Sequence, residues 1–290
     1  MIRSFLFVPA DSERKLQKAG DVGADAIILD LEDSVAADAR PDARLLAREY
    51  LAGKENVWVR INPMDTDDAE ADLDGVMPSA PAGIVLPKPR SAAAAIELSE
   101  RLSILESQHG IAAGSTRILP LCTELPEALF TLHSYIGATS RLAGLTWGVE
   151  DLSAAVGAAT NRDDNGNWLP TYEMARSFCL LAAKAAEVAA FDTVFTDFQN
   201  DEGLRRYAAN ARRDGFSGML AIHPAQVDTI NAAFVPTSEE RQRAEKIVAL
   251  FAANPGVGTI GMDGRMIDRP HLLQAQRLLD VARQVDSKGQ

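Results

Sequence analysis

Short apolar runs of strand length recur along the 290-residue chain, separated by longer stretches in which apolar positions return every three or four residues. The strand-like runs are SFLFVP (4–9), AIILDLED (26–33), VWVRIN (57–62) and GIVLPKP (83–89). They continue with RILPLCTE (117–124), LAGLTWGVED (142–151), DTVFTDF (192–198) and GMLAIHP (218–224). Between them SERKLQKAGDVG, AAAAIELSERLSILESQ, MARSFCLLAAKAAEVAA and DEGLRRYAANARRDG carry the helical period. Most of the strands are apolar on both faces, the pattern of a parallel sheet covered by helices. Eight strand–helix units predict an α/β fold, a (β/α)8 TIM barrel, with a doubly wound open sheet as the alternative. The third crossover, MDTDDAEADLDGVMPSA, offers little helix, and DTDDAEAD (65–72) reads as a solvated, charged loop.

The pattern assigns residues 1–235 to a barrel domain and residues 236–290 to a helical extension. In the extension, SEERQRAEKIVALFAA and IDRPHLLQAQRLLDVARQV read as two helices joined by a hairpin with Asp263-Gly264 at its tip. With 29 basic and 41 acidic residues the net charge is −12, which argues against a nucleic-acid partner, since that needs a basic stripe. No apolar run approaches the roughly 20 residues of a membrane span. The apolar stretch in MIRSFLFVPADSERK is too short for a signal segment, so a soluble, cytoplasmic protein is expected. Cys122 and Cys179 lie in apolar surroundings without a CxxC spacing and read as buried, reduced thiols.

Charge becomes informative once it is placed on the barrel. Catalytic groups of such barrels sit at the C-terminal ends of the strands. There this chain sets Pro9, Asp30, Glu32, Asp33, Arg60, Asn62, Lys88, Glu124, Glu150, Asp151, Asp197 and His223. Any one of these acids could cap a helix or join a salt bridge. So many on one rim would be costly to ionise in a buried setting unless cations answer them. A hard divalent ion together with Arg60 and Lys88 resolves the conflict, and Mg2+ suits oxygen donors of this kind. His109, His133, His223 and His271 show no zinc-ligand spacing. GVGTIG (256–261) has no βαβ unit around it, and NRDDNG (161–166) leads to Tyr172 where an EF-hand needs Glu. Neither a Walker A lysine nor a nucleophile elbow is present.

Nine segments in order, RSFLFVPADSERKLQKA, AIILDLEDSV, VRIN, LPKP, TE, LTWGVEDL, VFTDF, IHPAQV and GRMIDRPH, span residue 2 to about 280. Together they resemble the citrate lyase β-subunit-like group of the HpcH/HpaI aldolase/citrate lyase superfamily, which includes malyl-CoA and citramalyl-CoA lyases. The resemblance implies a TIM barrel that uses Mg2+, or Mn2+ as the alternative, to make or break a carbon–carbon bond beside a thioester. Coenzyme A would enter as part of the substrate, with an acyl-CoA and a 2-keto acid as partners and no membrane involved.

Carried over position by position, Glu124 and Asp151 match the metal-binding carboxylates, with Glu124 also close to substrate. Arg60 in VRIN matches the arginine on the substrate's oxygens. Arg14 and Lys18 match the basic pair that meets the coenzyme A phosphates. Asp30, Glu32, Asp33 and Lys88 fall behind these groups as supports. Asp268 matches an acid that reaches into a neighbouring subunit, which implies a homotrimer or homohexamer; its spacing before Pro270 equally fits a helix N-cap. Two departures stand out: Ala10 and Glu13 replace a common Gly and Pro, and Thr123 precedes Glu124 where the family places Thr after the Glu. Two rival activities stay open, a malyl-CoA thioesterase and a citryl-acyl-carrier-protein lyase subunit of a citrate lyase complex.

Overall fold

A computed structural model describes residues 1–288. Its strands are β1 (Ser4–Pro9), β2 (Ala26–Asp30), β3 (Val57–Arg60), β4 (Gly83–Leu86), β5 (Arg117–Pro120), β6 (Gly144–Thr146), β7 (Ala189–Asp192) and β8 (Gly218–Ala221). The intervening helices are α1 (Glu13–Ala19), α2 (Arg40–Leu51), α3 (Asp67–Val76), α4 (Ala92–His109), α5 (Val149–Ala155), α6 (Pro170–Ala185), α7 (Asp201–Asp214) and α8 (Val227–Ala233). All neighbouring strand pairs in this sheet are parallel, in the order β5-β4-β3-β2-β1-β8-β7-β6. Parallel bridges Ile118–Leu142 and Leu121–Thr146 join the two ends, so the sheet closes on itself as a TIM barrel.

Closure explains the two-faced apolar pattern, because one face of each strand fills the interior and the other meets the helices. Every residue of β2, β4 and β8 is buried. Inside the barrel, Phe5 packs edge-on against Trp58 (5.3 Å) and Phe191 (4.9 Å). Two strand-opening glycines make room for these rings. A Cβ on Gly83 would come within 2.3 Å of the Trp58 ring, and one on Gly144 within 2.6 Å of Phe191.

Two expectations are corrected. The 65–72 segment is not a solvated loop; most of it forms α3. Asp67, Asp68 and Glu70 favour its positive N-terminal end, while Ala69, Asp72, Leu73 and Val76 recur at helical spacing and are buried. The seventh strand is AAFD (189–192) rather than DTVFTDF, most of which is loop. Alanine-rich sequence reads as helix, but α6 stops at Ala185 and Glu187 turns the chain with a positive φ of 57°. Pairing with β6 and β8 then overrides local propensity.

The chain divides into two compact units, residues Ile2–Asn231 and Met1 with the residues from Ala232 onward. The second carries α9 (Ser238–Ala253), a hairpin of β9 (Thr259–Met262) and β10 (Arg265–Asp268), and α10 (Arg269–Lys288). Asp263 and Gly264, with φ of 52° and 71°, make the tight turn at its tip. Thr237 and Glu240 form a reciprocal capping box at the start of α9. Residues 289 and 290 of the expected extension lie outside the described residues.

Candidate active site

The register of β2 and β3 sets Asp30 beside Arg60 at the C-terminal end of the barrel. The Arg60 fork donates to both oxygens of Asp30, each at 2.7 Å, and its third nitrogen lies 3.0 Å from Glu32. Phe7 supports the guanidinium from one face at 4.9 Å. Burial alone would push Asp30 up, but the fork and the N–H groups of Ser34 and Glu32 outweigh it and hold the carboxyl below its ordinary value. Burial dominates at Glu32, whose carboxyl is raised although Arg60 and Lys88 oppose the shift.

Lys88 links the two sides of the rim. Its ammonium bonds Glu32 and lies 3.3 Å from both Asp33 and Asp151. Its main-chain N–H donates to Glu124 Oε2 at 2.6 Å. Lys88 makes that donation from a φ of 48°, a left-handed conformation that costs a non-glycine residue on the order of 1 kcal/mol. One strained residue thus touches both candidate metal carboxylates.

Glu124 follows β5 and is 1% exposed. Burial drives its carboxyl well above the ordinary value, with the charges of Asp151 and Glu32 adding to the effect. The Lys88 N–H and the more distant Arg60 do not offset this. Asp151, in the first turn of α5, is less enclosed, with 30% of its side chain exposed. Gly148 was missed by sequence reasoning and is needed here, because a Cβ at that position would stand 2.5 Å from Glu124 Cγ. A lone glycine between a strand and two acids was the available signal.

Asp30, Asp33, Arg60, Glu124, Glu150 and Asp151 line one cavity of about 380 Å3 whose remaining wall is mostly apolar, from Phe7, Leu121, Val149, Val194, Leu220 and Ile222. Among the described residues no group of three or more His, Cys, Asp and Glu side chains is arranged to hold a metal by itself. The fit of Mg2+ therefore rests on two hard carboxylates. Mg2+ is commonly bound through one or two carboxylates, with water and substrate completing its shell. A carboxyl raised first by burial and then by the charges of Asp151 and Glu32 suits that ion.

The other rim residues have different partners or places. Asn62 is buried and donates to Asp72 and the Leu31 carbonyl, holding β3 to α3. Glu150 is exposed and accepts from Asn161. His223 accepts from the Ala225 N–H and stacks on Phe198. Pro9 lines the cavity, and Asp197 lines a different one. Arg14 and Lys18 are exposed one turn apart on α1, with no acidic partner among the described residues. Asp268 ends β10 in the second unit. Cys122 and Cys179 are buried free thiols.

A family model described as HpcH/HpaI aldolase/citrate lyase matches residues 3–224. The chain is 34% identical to citrate lyase subunit beta of Leuconostoc mesenteroides subsp. cremoris, over 99% of this chain and 96% of that one. It is 33% identical to (3S)-malyl-CoA thioesterase of Cereibacter sphaeroides, over 97% and 94%. The crystal structure of protein CitE from Mycobacterium tuberculosis in complex with magnesium, acetoacetate and coenzyme A aligns over 97% of each chain, at 32% identity and a TM-score of 0.83.

Proposed function

The chain belongs to the HpcH/HpaI aldolase/citrate lyase family, and from that premise we propose that it is a Mg2+-dependent carbon–carbon lyase. It cleaves, or in reverse forms, a β-hydroxyacyl-CoA such as malyl-CoA or citramalyl-CoA, giving an acyl-CoA and a 2-keto acid. The observation that carries this reading is Glu124, a fully enclosed carboxyl raised by burial and facing a cavity that it shares with Asp151. The Mycobacterium tuberculosis relative, with its magnesium, acetoacetate and coenzyme A, supports it.

Glu124 and Asp151 would hold the ion. Bound there, Mg2+ supplies Lewis-acid stabilisation of the negative charge that gathers on the keto oxygen. Arg60 adds a fixed cation at the same end of the cavity, and its bonds to Asp30 and Glu32 keep it from swinging away. Lys88 positions Glu124 through its N–H and Asp151 through its ammonium. The apolar wall limits water around these charges, which strengthens them. Arg14 and Lys18 would meet the coenzyme A phosphates. In the cleavage direction the substrate hydroxyl loses its proton to solvent and the C–C bond breaks. Its electron pair passes to the thioester α-carbon, which takes a proton from Asp268 of a neighbouring copy.

The test is product analysis on a panel of hydroxyacyl-CoA thioesters. Keto acid and intact acyl-CoA should appear together, vanish with a chelator and return with Mg2+. Free thiol without keto acid would instead favour hydrolysis, a reading prompted by the Cereibacter sphaeroides thioesterase. Turnover only of an acyl-carrier-protein thioester would favour a citrate lyase subunit, as in the Leuconostoc relative. Asp268 acting across subunits requires a trimer or hexamer; a fully active monomer in sedimentation would exclude it.

A further inference from the structure

Asp268 stands immediately before α10, where a carboxylate would ordinarily accept a backbone N–H of the first turn. Among the described residues no backbone N–H donates to this carboxylate. Its Oδ1 instead lies 2.5 Å from Nδ1 of His271, three residues on. In the tautomer that carries its proton on Nδ1, the ring donates to this carboxylate oxygen. The Asp268 N–H lies 3.2 Å from the same Nδ1 and donates to it in the other tautomer, so the proton on the ring selects between the two contacts. Both side chains reach solvent, with 33% of Asp268 and 45% of His271 exposed, so neither is locked in a core.

Resting on the reading of Asp268 as acid and base, we propose that His271 is its positioning residue. Nδ1–H holds Oδ1, so Oδ2 is the oxygen left to exchange a proton with the thioester α-carbon. In the cleavage direction the Oδ2 proton goes to that carbon, which carries the electron pair of the broken C–C bond. The carboxylate left behind keeps its bond from Nδ1–H, which stabilises the new charge. Solvent returns a proton to Oδ2 and takes up the one lost from the substrate hydroxyl, so the cycle balances. In the condensing direction the same Oδ2 removes a proton from the acyl-CoA.

Steady-state kinetics on the intact oligomer tests this with three variants. His271→Phe is expected to lower kcat about 10²-fold while KM stays within about two-fold, since the ring does not bind substrate. His271→Asn, which keeps an amide N–H near the position of Nδ1, should recover at least about ten-fold of that loss. His271→Gln, whose amide reaches toward the far side of the ring, should recover much less. Exchange of the acyl-CoA α-protons in D2O should follow the same order. Should His271→Phe fold poorly, the Asn and Gln variants decide between themselves. Equal activity in those two, or a His271→Phe kcat within about three-fold of wild type, overturns the proposal and leaves the ring a helix-capping group. A wild-type protein inert toward every thioester would overturn the lyase reading first, and the role of the ring with it.

Discussion

Glu106 and Glu124 are the same residue type and each is 1% exposed, yet they are built in opposite ways. Glu106, on α4, accepts from both terminal nitrogens of Arg141 at 2.7 Å, and from the N–H groups of Gly114 and Thr116. Burial alone would raise it, but Arg141 and the two N–H groups outweigh that and hold its carboxyl at about 2. Glu124 receives one N–H and faces two acids, and its carboxyl is driven up. One glutamate is a finished structural joint between α4 and the strand that follows it. The other is left short of positive charge at the mouth of the barrel. That difference supports the proposal that a cation binds at Glu124 and not at Glu106.

That contrast can be broken by substitution. Glu106→Gln strands a buried Arg141 and should destabilise the protein by about 3–5 kcal/mol in chemical denaturation, with kcat/KM of the folded fraction unchanged. Glu124→Gln should do the reverse. It should cut kcat/KM about 10²–10³-fold, roughly 3–4 kcal/mol of transition-state stabilisation, without lowering the unfolding midpoint, because the raised carboxyl lends the metal-free fold no electrostatic stability. If Glu124→Gln unfolds as readily as Glu106→Gln, the two sites are alike and the contrast is lost.

The pH dependence sharpens the same comparison. Glu106 is depressed from 4.5 to about 2. The stability it lends is therefore complete above 4.5, drains as pH falls toward about 2, and amounts to on the order of 3 kcal/mol. Denaturation of Glu106→Gln at stepped pH should lack this loss. The raised Glu124 works with the opposite sign. In metal-free protein it lowers stability as pH rises past 4.5, because the unfolded carboxyl ionises more easily. The smallest effect is expected from Gly148→Ala. Its Cβ would strike the Glu124 side chain and weaken Mg2+ binding about 10–100-fold, read directly by titration calorimetry.

Periodicity and the order of polar residues made the barrel legible in the sequence, because a strand buried on both faces announces itself by composition. The rim acids were legible for the same reason: Asp30, Glu124 and Asp151 follow apolar runs and have no local use there. Propensity failed at α3 and β7. Acids suited a helix whose Asp72 is worth burying because Arg44, at 2.7 Å, and Asn62 bond it. Alanines that would suit a helix were drawn into a sheet. Asp268 stood out by its likeness to a family segment, whereas His271, three residues later, did not.

The sequence by itself determined the eight-unit barrel, the acid-rich rim and the family. Those follow from the order of residue types, which local physics and pattern can read. Tertiary structure alone decided that Arg60 closes on Asp30 and that Lys88 bends into a left-handed turn to touch Glu124 and Asp151. Each depends on side chains meeting at distances below three and a half ångströms, set by strand register and chain turns that no linear spacing encodes.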